Sequence, residues 1–239
     1  MTKKIQPLFK CYGANFLSSW VLESFPENYQ DYDYVEPYCG AAHVLMNKNL
    51  PSSGRVEVIS DPDLGIVNIF RALRDDPAAF IGRLKRVKYC ENTFERYLKK
   101  SEGDDLDLAI GEFVLRQMSR GGLKKNYLLQ EGENWGVIVE QLETVAERVR
   151  NAYIFNKTAL SVIQAFDDAN TLAYVCPLEV DKDAEDHAKL ADYLHQFRGK
   201  VIISAYSNAF YKRHYREEDG WRFIKKKTGQ DTQNLILNY

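Results

Sequence analysis

Two stretches, residues 33–42 (DYVEPYCGAA) and 56–61 (VEVISD), decide the fold of this chain. The first holds a short apolar run, Asp33–Glu36, that ends in an acid and is stopped by Pro37. Gly40, Ala41 and Ala42 follow, and a helical pattern starts after them. A glycine and two small residues at such a junction let the backbone approach a ligand closely, and the helix start can face a polar ligand group. The second run, Val56–Ser60, is again short and apolar and ends at Asp61. In a strand–helix–strand unit that binds a nucleotide, an acid at this place accepts hydrogen bonds from ribose hydroxyls. Asp61 has a second reading as the cap of a helix whose first residue is Pro62, and the two roles are compatible.

Outward from these stretches, short apolar runs alternate with helical patterns, which predicts an α/β fold. Thr171–Val175 and Lys200–Ser204 read as two more parallel strands covered on both faces. Helices are predicted over Pro62–Arg74 and Ala184–Phe197. At the end, Trp221–Lys226 and Asn234–Tyr239 read as strands around KTGQDT, with Thr228-Gly229 as the turn signal, so an antiparallel hairpin is expected at one sheet edge.

The middle is different. Residues 75–150 show helices and loops, with Trp135, Ile138, Val139, Leu142, Val145 and Val149 at helical spacing over four turns. Residues 83–125 carry 11 Lys/Arg against 7 Asp/Glu in a chain whose formal net charge is −2. Residues 75–150 are therefore read as a helical insertion in an α/β domain made of 1–74 and 151–239, with a solvated helical face as the alternative source of the charge. The overall balance excludes a uniformly basic nucleic-acid coat but leaves room for a local basic patch. No apolar run is long enough for a transmembrane helix, and the start, MTKKIQPLF, lacks the apolar core of a signal peptide. Cys11, Cys39, Cys90 and Cys176 lie far apart, which fits a reducing cytoplasm rather than a disulfide framework or zinc ribbon. The histidines, His43, His187, His195 and His214, form no metal-binding spacing, so no metal is expected. The run 205–215, AYSNAFYKRHY, mixes rings with cations and reads either as packing over the sheet or as a nucleic-acid surface.

Several blocks, in order along nearly the whole chain, resemble the Dam-type DNA adenine methyltransferases. They are 7–26 (PLFKCYGANFLSSWVLESFP), 34–46 (YVEPYCGAAHVLM), 59–77 (ISDPDLGIVNIFRALRDDP), 113–127 (FVLRQMSRGGLKKNY), 186–221 (DHAKLADYLHQFRGKVIISAYSNAFYKRHYREEDGW) and the closing QNLILNY. The resemblance implies a Rossmann-like methyltransferase sheet with a helical target-recognition insertion. It implies S-adenosylmethionine as cofactor, contacted by Tyr12, Gly13, Glu36, Tyr38, Gly40 and Asp61. It also implies double-stranded DNA as partner, with Arg116, Arg120, Lys124 and Lys125 on phosphates.

The chain departs from that family at the site of chemistry. Where the family has aspartate–proline–proline–tyrosine after the fourth strand, this sequence has Cys176, Pro177, Leu178 and Glu179. In the family the acid accepts hydrogen bonds from the adenine amine and the aromatic ring stacks on the flipped base. A thiol is a weak acceptor and a carboxylate is no stacking platform. Asn15 stands where the family has a lysine, and only Val180–Glu185 separates the degenerate motif from Asp186-His187, shorter than the family's substrate loop. The expected function is accordingly a pseudo-methyltransferase that binds DNA or a protein partner. Retained Glu36, Gly40 and Asp61 keep S-adenosylmethionine binding open, against a purely structural role for Glu36-Pro37. The alternative is an active enzyme, with Asp181 or Asp183 supplying the acid, or with Cys176 as a nucleophile toward a pyrimidine.

Overall fold

The computed structural model describes residues 8–9, 17–100, 102–129, 135–177, 184–229 and 231–239. In chain order the elements are α1 (Ser18–Glu23), β1 (Asp33–Glu36), α2 (His43–Asn47), β2 (Glu57–Ser60), α3 (Leu64–Asp75), α4 (Pro77–Leu84), α5 (Glu91–Lys99) and α6 (Asp105–Gln117). They continue with α7 (Trp135–Glu140), α8 (Leu142–Val149), β3 (Tyr153–Phe155), α9 (Ala159–Ala165), β4 (Thr171–Val175), α10 (Ala184–Leu194), β5 (Lys200–Tyr206), α11 (Ala209–His214), β6 (Arg222–Thr228) and β7 (Asp231–Leu237). The chain divides into two compact units. One comprises residues 1–18, 40–47 and 63–156, the other 19–39, 48–62 and 157–239.

The second unit is built on a sheet whose strands run β2-β1-β4-β5-β7-β6. β1 pairs in parallel with β2 and β4, and β4 with β5. β7 is antiparallel to both β5 and β6. The four parallel strands are buried almost throughout, as their unbroken apolar runs require. Gly199 stands at the entry to β5 because nothing larger fits. A Cβ there would lie 2.4 Å from the Thr171 carbonyl oxygen and 2.7 Å from that of Asp168. The hairpin is longer than expected, with pairing that continues to Thr228↔Asp231. Gly229, at φ 66°, supplies the left-handed backbone that a two-residue connection needs.

Among its described residues the first unit is helical apart from β3, a strand that the sequence reading did not contain. α3 packs on α6 and α8, and α4 on α6 and α8, around Phe70, Leu73, Phe80, Leu84, Phe113 and Leu142. The helical stretch 75–150 lies within this unit, together with α3 and residues 40–47. Three helix starts in this unit are set locally: Asp63, Asp76 and Asp104 each accept a backbone N–H of the first turn, and Pro77 occupies the first position of α4. Two expectations need correction. The cap of α3 is Asp63, not Asp61, because the helix begins at Leu64 and the Asp63 carboxylate takes the Gly65 N–H at 2.9 Å. The single helix expected over 135–149 is two, α7 and α8, which meet at Gln141. There the Gln141 carbonyl accepts from both Thr144 N (3.1 Å) and Val145 N (3.2 Å), so the ladder tightens for one step instead of running straight.

Candidate functional site

Within the second unit β1 lies between β2 and β4. The chain leaves β1 for a neighbour on one side and later returns to pair on the other. The carboxyl ends of β1 and β4 therefore border the crevice where open α/β sheets hold their ligands. Three chemical groups reach that edge. Glu36 ends β1 with 2% of its surface exposed, Asp61 follows β2 with 8% exposed, and Cys176-Pro177 follows β4. Cys39 N donates to the Ser60 carbonyl at 3.0 Å, which ties the turn after β1 to the end of β2.

Glu36 is not simply left in the interior. Tyr34, two residues earlier and on the same strand face, donates its hydroxyl to Glu36 Oε2 at 2.8 Å. Burial pushes the Tyr34 phenol well above its ordinary value, and the Glu36 charge adds to the shift, so Tyr34 is a fixed donor. Behind it, Lys48 Nζ and Glu57 Oε1 form a buried ion pair at 2.5 Å, with Nζ also 5.0 Å from the centre of the Tyr34 ring. Tyr34 lies opposite Glu57 in the sheet register. On the other side Tyr174 is also buried. Its phenol is raised well above normal by burial first, then by Cys176 and Glu36, while the Ser204 hydroxyl works the other way. Gln233 Nε2 donates to Ser204 Oγ at 3.0 Å. A row of buried polar groups thus crosses one face of the sheet, from Lys48 and Glu57 through Tyr34, Glu36 and Tyr174 to Ser204 and Gln233.

Aromatic groups stand beside this row. The Tyr38 ring is 5.9 Å from that of His187, a buried residue of α10, and His187 is 6.3 Å from Phe210 of α11. No spacing in the sequence links these three positions; only the adjacency of β1, α10 and α11 brings them together. Gly40 and Ala42 both take φ of 48° in the turn after β1, which is costly for the alanine and free for the glycine. Tyr12, Gly13, Asn15, Leu178, Glu179, Asp181 and Asp183 lie outside the described residues.

The four basic residues expected on DNA phosphates separate into two kinds within the first unit. Arg116 is buried, with 7% exposed, and is held by Asp63 Oδ2 at 2.6 Å and Glu112 Oε1 at 2.7 Å, with the Phe9 ring centre 5.5 Å away. Lys124 also binds Glu112, at 2.9 Å. Arg116 is therefore the centre of an internal ion network, because α6 places Glu112 one turn before it. Arg120 and Lys125 are exposed. Among the described residues no group of three or more His, Cys, Asp or Glu could hold a metal ion, and no helix is long and apolar enough to cross a membrane.

No curated protein matches the chain. The family described as D12 class N6 adenine-specific DNA methyltransferase matches residues 15–220, which include every strand of the parallel sheet and the whole helical unit from α3 to α8. With that match lying across both the strand-end crevice and the helical unit, this chain belongs to the D12 class N6 adenine-specific DNA methyltransferase family.

Proposed function

We propose that this chain is a DNA-binding pseudo-methyltransferase: it keeps the strand-end site of its family but does not methylate adenine. The observation that carries the reading is Cys176 at the end of β4, where an acid would accept the adenine amine. A thiol accepts hydrogen bonds weakly. Removal of one preorganised polar group of this kind costs about 3–4 kcal/mol, or roughly 10²–10³ in rate. The residue after Pro177-Leu178 is a glutamate, which gives a flipped base no face to stack on.

The cofactor side fits better. The buried carboxylates Glu36 and Asp61 form an acceptor pair suited to a ligand with hydroxyl and ammonium donors. S-adenosylmethionine, the family's usual cofactor, has both, and when bound it supplies an electrophilic methyl group. In this reading Asp61 would hold the ribose hydroxyls, Glu36, positioned by the Tyr34 hydroxyl, would accept from the ligand's other donors, and Tyr38, beside His187, would offer it an aromatic face. The protein then acts by occupying DNA, alone or beside a protein partner.

The test is transfer of labelled methyl from S-adenosylmethionine to unmethylated duplex DNA, with cofactor and DNA binding measured on the same sample. Binding without transfer is the expected result. Methylated adenine would overturn the reading, and methylated pyrimidine that disappears in Cys176→Ser would replace it with nucleophilic chemistry at that thiol.

A further inference from the structure

The ion network around Arg116 takes Arg116 and Lys124 from the open cations of the helical unit, and a second exposed basic stretch lies outside that unit. Residues 206–228 contain seven Lys/Arg against three Asp/Glu. Arg216 takes two of those acids itself, Glu218 at 2.6 Å and Asp219 at 2.8 Å. Lys226, exposed on one face of β6, lies 5.5 Å from the centre of the Trp20 ring. Lys225 points to the opposite face, and Lys227 shares that face by strand alternation. There Lys225 and Lys212 of α11 line one groove of about 570 Å³ together with Asn208, Thr232 and Asn234, and Arg216, Glu217 and Glu218 line it too, with Glu218 paired to Arg216. Lys227 stands opposite Thr232 in the hairpin register. Lys212, Lys225 and Lys227 are all exposed.

Lysines on an edge strand are also a common defence against edge-to-edge pairing. That role needs charge along the edge only. It does not require cations from two elements to converge on a groove with neutral amide and hydroxyl groups, the side chains that contact nucleic-acid phosphate and sugar. Position strengthens the point. Tyr206, Gln233 and Lys226 are successive partners across β5, β7 and β6, so the basic end of the hairpin lies at the same sheet edge as Cys176. From β4 to β6 is three strand spacings, about 14 Å.

We propose that the groove between α11 and the β6–β7 hairpin binds the phosphate backbone of duplex DNA through Lys212, Lys225 and Lys227. The inference rests on the DNA-binding reading above and assigns the electrostatic footprint to the carboxyl edge of the sheet. Three phosphate contacts contribute about 2–3 to the slope of log affinity against log salt.

The experiment is fluorescence anisotropy of a labelled 25-base-pair duplex between about 50 and 200 mM salt, the range in which such contacts dominate affinity. Wild type is compared with Lys212→Gln/Lys225→Gln/Lys227→Gln, with Lys226→Gln and with Arg120→Gln/Lys125→Gln. Circular dichroism and gel filtration confirm that each variant is folded and unaggregated, and the single substitution Lys225→Gln replaces the triple one if it is not. The expected result is a slope reduced by about 2–3 in the triple variant, or about 1 in the single, with Lys226→Gln unchanged. If wild type binds but the triple variant keeps its slope, or Lys226→Gln flattens it equally, the groove assignment falls while DNA binding stands. If wild type does not bind duplex at the lowest salt, both readings fall together.

Discussion

Arg116→Met separates a structural cation from a DNA-binding one. The substitution keeps most of the buried stem against Phe9 and removes two charge-assisted bonds, to Asp63 at 2.6 Å and Glu112 at 2.7 Å. Loss of one partner of a fully buried pair costs about 3–5 kcal/mol because the other charge is stranded. Neither acid is stranded here. The Asp63 side chain is 40% exposed and still caps α3 through Gly65 N, so its share is reduced by solvent. Glu112 retains Lys124 at 2.9 and 3.0 Å. The expected loss is therefore about 2 kcal/mol, near the value of one hydrogen bond to a charged group. Lys124→Met, which removes a cation 34% exposed, should cost less than about 1 kcal/mol. Denaturant unfolding followed by far-ultraviolet circular dichroism measures both. The same proteins are titrated with duplex DNA across the salt range used above. Arg116→Met should leave the salt slope within about 0.3 of wild type, since a lost phosphate contact would lower it by about 0.9. Unchanged stability combined with a slope lower by about one would refute the internal-network account and return Arg116 to the DNA surface.

Two further outcomes follow from the second unit. Tyr34→Phe removes the hydroxyl that Glu36 accepts at 2.8 Å inside the sheet, and should cost about 1.5–2 kcal/mol in denaturant unfolding; an unaltered midpoint would mean that Glu36 does not depend on that donor. Asp167 accepts Arg198 N at 2.8 Å and the Tyr193 hydroxyl at 2.9 Å; burial alone would raise its carboxyl, but these bonds and the Arg198 charge hold it below the usual value. A depressed acid stabilises above its unfolded value and loses that contribution as pH falls through its folded value, so Asp167→Ala should be less stable by about 1–2 kcal/mol at neutral pH. The gap should narrow below about pH 4, and a gap that instead widens in acid would contradict the assignment.

The sequence by itself determined the elements whose causes are local. β1 and β4 were legible to the residue because a buried parallel strand is a continuous apolar run, and the breaks at Pro37 and Pro177 mark where it must stop. The acids at the strand ends were legible as well, since Glu36 closes the run of β1 and Asp61 directly follows that of β2. Short-range competition was harder to read: Asp61 and Asp63 are both good helix caps, and only the helix start at Leu64 chose between them. Charge pairing could not be read at all. Arg116 looks like a free cation in a basic stretch until α6 and the start of α3 place Glu112 and Asp63 against it. Likewise the surroundings of Tyr34 and Tyr174 are set only when β1 and β4 lie side by side, with Glu36 and Cys176 at their ends. A residue's own chemistry and its near neighbours fix strands, turns and caps. Which charges are cancelled, which remain open and which distant rings meet are set by contacts far apart along the chain, and only the tertiary structure decides them.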